Sequence, residues 1–158
     1  MDEKSVLAHY NREIFGHTSC LPSQLSACEV VLKNERDRVA IMPTGAGKSL
    51  VFQLPVLCIM GIVIVISPLL SLMMDQVYAL NKKGVPAFSY TSDSSNFSRQ
   101  VICHRVRDTR PMHMPRLLFV SPEILLKTKR TERPNDFRFL KKHDLYTFSF
   151  LKTKTKRS

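Results

Sequence analysis

Between an apolar stretch (Val39 to Met42) and an apolar run of helix length (Leu50 to Met60) lies Pro43-Thr44-Gly45-Ala46-Gly47-Lys48-Ser49. This run restricts the fold more than any other. A strand must deliver the backbone into a glycine turn, and a helix must start directly after it. Gly45 and Gly47 supply the permissive backbone that lets such a turn close tightly and approach an anion without an intervening side chain. The helix that follows offers its positive N-terminal end to the same anion. The run reads as a phosphate-binding loop: backbone N–H groups from Gly45 to Lys48 on phosphate oxygens, Lys48 on the terminal phosphates, Ser49 on a magnesium ion. The pattern is met in its relaxed form, because the strict one asks for glycine where this chain has Met42. The plainer alternative is a glycine turn that merely joins strand to helix, with Lys48 a solvated charge.

A chain of 158 residues, 44% of them hydrophobic, has room for one domain with a real core and not for two. Its four cysteines (Cys20, Cys28, Cys58, Cys103) form no C-x-x-C pair and follow no signal peptide, so reduced thiols in a cytosolic or nuclear protein are expected, with no zinc site. The segment from Leu54 to Met74 is almost continuously apolar, yet Pro55, Gly61 and Pro68 divide it. A helix end, a turn at Gly61 and a strand buried on both faces from Ile62 to Ile66 explain it better than a membrane span.

The net charge of +11 points to a nucleic-acid partner only if it lies on the domain. From Lys127 onward there are eleven Lys/Arg against three acids, so +8 belongs to the tail and +3 to the first 126 residues. The closing Lys152-Thr-Lys-Thr-Lys-Arg157 fits a nuclear address, a nucleic-acid-binding arm or simply a solvated end.

Along the chain, Met1 to Asn11 is polar and uninformative. Leu25, Ala27, Cys28, Val31 and Leu32 recur at helical spacing after a start at Pro22 and Ser23. Beyond the loop, a helix that Pro55 shortens precedes the strand Ile62 to Ile66. A helix from Leu69 to Asn81 closes at Lys82, Lys83 and Gly84. Val85 to Tyr90 reads as a strand, Ser92 to Ser98 as a loop, Phe97 to Val106 as a weak helix and Leu117 to Val120 as another buried strand. Strands alternating with helices predict a parallel α/β sheet covered on both faces. The phosphate loop, Ser67-Pro68 and Ser121-Pro122-Glu123 then share the carboxyl rim.

These stretches, in this order, resemble the RecQ family of ATP-dependent DNA helicases. Phe15-Gly16 with Pro22 and Gln24 is similar to the family's adenine-reading motif, Met42 to Leu50 to its phosphate loop, and Gln53-Leu-Pro55 to the helix after it. Ser67-Pro-Leu-Leu-Ser-Leu-Met-Met-Asp-Gln-Val77 and Leu118-Phe-Val-Ser-Pro-Glu123 are similar to the next two motifs. The loop alone fits many NTPases, small kinases included; the run from Ser67 to Val77 is far more specific.

The resemblance covers about Phe15 to Leu126. It implies an incomplete RecA-like P-loop lobe at 15–126, after an N-terminal extension at 1–14 and before a basic irregular tail at 127–158. Thr44, Gly45, Ala46, Gly47, Lys48 and Ser49 would hold ATP and Mg2+, and Gln24 the adenine. Ser67, Pro68, Ser71 and Ser121 would meet single-stranded or forked DNA through phosphate contacts, although alone these serines read as helix caps. The implied setting is 3′-to-5′ unwinding in DNA repair and recombination, in the nucleus of a eukaryote or otherwise in the cytoplasm. His17 stands where members often carry an aromatic residue, and Leu21 where they usually carry arginine.

One expected part is missing from the sequence. Hydrolysis in this class uses adjacent acids at the end of a further strand, which the family carries as Asp-Glu-Ala-His a few tens of residues beyond Glu123. The chain has no Asp-Glu pair after Asp2-Glu3. The expectation is a motor-lobe fragment truncated before those acids and not competent to unwind DNA alone, or a non-catalytic module that binds ATP or single-stranded DNA.

Overall fold

The computed structural model describes residues 2–33, 40–43, 45–59, 61–107, 117–124 and 145–149. Its centre is the strand β1 (Ile62–Ile66), Ile-Val-Ile-Val-Ile, whose β-branched side chains suit a pleated ribbon covered on both faces. Around it run β2 (Ala87–Tyr90), β3 (Leu117–Val120) and β4 (Leu145–Ser149), in the order β2-β3-β1-β4, with every pairing parallel. The α/β parallel sheet expected from the sequence is therefore the observed one.

Alternation along the strands divides the core in two. Val63 and Val65 of β1, with Leu117 and Phe119 of β3, face one layer. It is built by the helices α1 (Glu3–Glu13), α2 (Pro22–Lys33), α3 (Leu50–Gln53) and α4 (Leu70–Lys82). Ile62 and Ile64, with Leu118 and Val120, face the other, where α5 (Asn96–Arg107) supplies Ile102. The apolar segment from Leu54 to Met74 is divided into a 3-10 turn (Pro55–Leu57), β1 and the start of α4. Among the described residues no helix is long and apolar enough to cross a membrane.

Helix α4 ends where its two lysines and glycine predict. Gly84 takes φ 74°, its N–H donates to Asn81, and the Val85 N–H reaches back to the Leu80 carbonyl at 3.0 Å. These paired bonds satisfy carbonyls that the helix leaves open. Lys83 then donates to the Ile14 carbonyl at 3.3 Å and lies 5.8 Å above the Phe15 ring, joining this helix end to the segment that follows α1.

Three expectations need correction. Ala40, Ile41 and Met42, expected as the strand leading into the loop, are not in a strand, and Ile41 is 90% exposed. Apolar composition alone does not make a strand without a ladder partner. The N-terminal residues, read as uninformative, form α1, whose Leu7 and Asn11 are buried. Its single apolar contact row was too sparse to stand out among Glu, Lys and His. The tail, expected to be irregular, contains β4, whose Leu-Tyr-Thr-Phe-Ser favours a strand although the lysines around it conceal the pattern. β4 pairs with β1 along its whole length, from Ile62 opposite Leu145 to Ile66 opposite Ser149, and covers that edge of β1.

Leu7 is fully buried in the same core as Val63 and Phe119. Leu7→Ala is expected to destabilise the chain by about 2–5 kcal/mol, measured by urea unfolding. A loss below about 0.5 kcal/mol, the level of a surface substitution, would show that α1 is not part of the core.

Candidate nucleotide and nucleic-acid site

The loop after Met42 takes the shape that its glycines permit. Gly45 and Gly47 have φ of 84° and 65°, in the left-handed region that residues with a Cβ rarely enter. The Ala46 N–H donates to the Pro43 carbonyl at 3.3 Å and closes the turn. Thr44 lies outside the described residues. The Leu50 N–H bonds back to Gly47 at 3.0 Å, so the helical turn begins at the loop itself. The helix it opens is short. α3 has four residues before Pro55 imposes a 3-10 turn, so the dipole aimed at an anion comes from little more than one helical turn.

Lys48 is folded onto its own loop. Its Nζ donates to the carbonyls of Met42 at 3.0 Å and Pro43 at 2.9 Å. An ammonium has three donors, so one remains beyond these two. Anionic oxygens form stronger bonds to a cation than neutral carbonyls do, so phosphate can draw the lysine away from them.

Two carboxamides hold the loop, one from α2 and one from α4. Gln24, buried on α2, accepts from the Leu21 N–H at 2.9 Å and donates to the Ala46 carbonyl at 3.0 Å. The residue that the resemblance assigns to adenine thus also clamps the phosphate loop, keeping one N–H and one lone pair for another partner. From α4, Gln76 donates to Ser49 Oγ at 2.8 Å and accepts from Gln53 at 2.7 Å. Neither Gln53 nor Gln76 was given a role from the sequence, although a signal was present. Gln76 follows buried Met73 by three residues and precedes buried Leu80 by four, on the inward side of α4, where a carboxamide requires a partner.

Cys28 packs α2 against α3, its thiol directed at the Leu50 and Val51 carbonyls at 4.0 and 3.7 Å. Burial, reinforced by Cys20, Cys58 and Glu29, pushes this thiol up to about 12. It stays neutral at physiological pH and serves as a packing group rather than a nucleophile.

The carboxyl rim of the sheet brings Ser67 and Ser121 together, as expected. The Ser67 N–H donates to Val120 at 3.1 Å and the Ser121 N–H to Tyr90 at 3.3 Å, each continuing the parallel ladder by one residue. Their side chains are not equally available. Ser67 and Ser121 are buried, whereas Pro68 and Ser71 are exposed. Ser67 Oγ accepts from the Leu69 N–H at 3.4 Å, a bond inside the turn ahead of α4; the N-cap of α4 is Leu69 and no side chain caps it, so the capping role that the position of Ser67 suggested is not taken. Among the described residues, Ser121 Oγ has no hydrogen-bond partner.

The sequence also gave no hint of Arg99, which shapes the neighbouring rim turn. Its guanidinium donates to the carbonyls of Ser94, Thr91 and Ser92 at 3.0–3.3 Å and stands 5.4 Å above the Tyr90 ring.

Beyond Glu123, where the acids are expected, the described strand is β4. It follows β3 in sequence and runs parallel to β1, but its residues, Leu-Tyr-Thr-Phe-Ser, include no carboxylate. The described site has a hydroxyl suited to a magnesium ion at Ser49 and no adjacent acid pair.

A parallel α/β lobe with a glycine-lysine-serine loop held between α2 and α4 is the frame of a P-loop protein. The comparisons define the class further: the family model for DEAD/DEAH box helicases matches residues 21–144. The chain belongs to the DEAD/DEAH box helicase family. Within it the chain is similar to RecQ helicases. It is 39% identical over 122 residues to the ATP-dependent DNA helicase RecQ of Bacillus subtilis (strain 168), covering 77% of this chain and 19% of that protein. It is 38% identical over 122 residues to ATP-dependent DNA helicase Q1 of Rattus norvegicus, with the same coverage. Against ATP-dependent DNA helicase Q5 of the same animal it is 39% identical over 114 residues, covering 72% of this chain and 12% of that protein. The chain spans about a fifth of the length of the first two relatives.

A Cβ on Gly47 would meet Gln24 Nε2 at 2.5 Å, in addition to the strain of φ 65°. Gly47→Ala is expected to cost about 1–2 kcal/mol from the left-handed backbone alone, and more while Gln24 is present. In a Gln24→Ala background the cost should fall to the backbone part, which urea midpoints of the four proteins will measure. An equal cost in both backgrounds would show that Gln24 does not press on the loop.

Proposed function

We propose that this lobe binds ATP on the loop at 45–49 and single-stranded DNA along the carboxyl rim of its sheet, as the first motor lobe of a RecQ-type ATP-dependent DNA helicase. The observation that carries the proposal is the loop: two glycines at positive φ, a lysine that a phosphate can draw outward, and a serine hydroxyl fixed from α4. Lys48 takes the β- and γ-phosphates, and N–H groups from Gly45 to Lys48 take phosphate oxygens. Thr44, between Pro43 and Gly45, belongs to the same loop. Ser49 supplies its oxygen to Mg2+, which when bound neutralises charge on the phosphates. Gln24 uses its remaining N–H and lone pair for the adenine edge, the two-point contact that distinguishes this base.

At the rim, exposed Pro68 and Ser71 and the backbone around Ser67 and Ser121 position a DNA strand through its phosphates, without reading sequence. The relatives, named as ATP-dependent DNA helicases, support ATP and DNA as the partners. Nuclear placement and work in repair or recombination follow only if this chain shares the setting of its eukaryotic relatives.

A second reading is favoured by β4. A strand without carboxylates beside β1 leaves the loop able to hold magnesium nucleotide with no acid pair beside it among the described residues, so the chain acts as a binding module.

Lys48→Ala is expected to weaken ATP binding at least about a hundredfold, the scale of losing a charge-assisted contact to phosphate, measured by titration of a fluorescent ATP analogue. Unchanged affinity in that variant would overturn the nucleotide site. ATP turnover by the purified chain that rises with single-stranded DNA would exclude the binding-module reading, and nucleotide binding without turnover would support it.

A further inference from the structure

Ser49, Gln76 and Gln53 form a directed chain of hydrogen bonds across three elements. Gln53, the last residue of α3, donates through Nε2 to Gln76 Oε1 at 2.7 Å. Gln76, midway along α4, donates through Nε2 to Ser49 Oγ at 2.8 Å. The order matters because a carboxamide has a donor end and an acceptor end. With Gln53 holding its oxygen, Gln76 has to present its N–H to Ser49. The serine oxygen has two lone pairs, and Gln76 occupies one. The other is available to a cation, and the hydroxyl is held against rotation.

We infer that Gln76, oriented by Gln53, is a positioning residue that fixes the Ser49 hydroxyl for the magnesium ion accompanying a nucleotide. The inference rests on the ATP reading above and assigns the metal's positioning to a helix outside the loop. Partners that orient a metal ligand fix its direction and tune the affinity of the site. The placement also has a mechanical consequence. Gln76 lies six residues beyond Leu70, the first residue of α4, about 9 Å along its axis from the end of the helix that follows the turn at Ser67 and Pro68. The hydroxyl is thereby tied to the helix that begins at the rim, although the two are distant in sequence.

The test uses the 158-residue chain and a fluorescent ADP analogue, titrated once with magnesium and once with EDTA. The readout is the gain in affinity that magnesium confers. Gln76→Met, which keeps length and helix propensity, should reduce that gain roughly threefold to tenfold and change affinity in EDTA by less than about twofold, within the scatter of a neutral change. Gln53→Met should reduce the gain by a smaller factor, because Gln76 keeps its donor and loses only its orientation. In a Ser49→Ala background, Gln76→Met should add nothing.

An unaltered magnesium gain in both glutamine variants would overturn the inference while leaving the nucleotide reading intact. So would an equal loss with magnesium and with EDTA, which marks a purely structural role, or a full additional loss in the Ser49→Ala background. Absence of nucleotide binding by the unsubstituted chain in either buffer would overturn the ATP reading and this inference together.

Discussion

The structure depends on β1 being satisfied on every side. Its residues from Val63 to Ile66 pair with β3 along one edge and all five pair with β4 along the other, while alternate side chains enter the cores on opposite faces. A strand buried in this way cannot shift by one residue, because every side chain would then exchange faces. The register fixes where β1 ends, and with it Ser67, Ser121 and the start of α4. The rim is positioned by packing that lies well below it.

Most of this frame could be read from the sequence, for identifiable reasons. β1 and β3 were legible to the residue because unbroken Val, Ile and Leu between turn signals has few other uses in a chain of this kind. The end of α4 was legible because lysines and glycine mark a helix C-terminus through both charge and backbone freedom. The glycine loop was legible because its spacing has a mechanical purpose. Composition misled where it dominated the local view. Charged neighbours concealed α1 and β4, and an apolar stretch before Pro43 suggested a strand that the described residues do not form.

The site was less legible than the fold, because its partnerships join residues far apart in the chain. Gln24 and Ala46 are 22 positions apart, and Gln76 and Ser49 are 27 apart. A pattern read along the sequence names the residues that face a ligand more readily than those that hold them. Ser67 illustrates the limit: its type and place suit both a phosphate contact and a helix cap, whereas its hydroxyl is buried and bonded to the Leu69 N–H within the turn before α4. β4 shows the complementary case. A strand can complete a sheet without carrying the chemistry associated with its position, since pairing needs only backbone and suitable shape.

The position of Lys48 sets an entry condition for the loop. Its ammonium rests on two carbonyl oxygens of Met42 and Pro43, so it is neither free in solvent nor available at no cost. A ligand has to offer the cation more than those two neutral acceptors already do. The hydroxyls of a nucleoside do not meet that condition, whereas clustered phosphate oxygens do. On the proposed reading, selection for a charged ligand thus lies in the lysine's existing bonds.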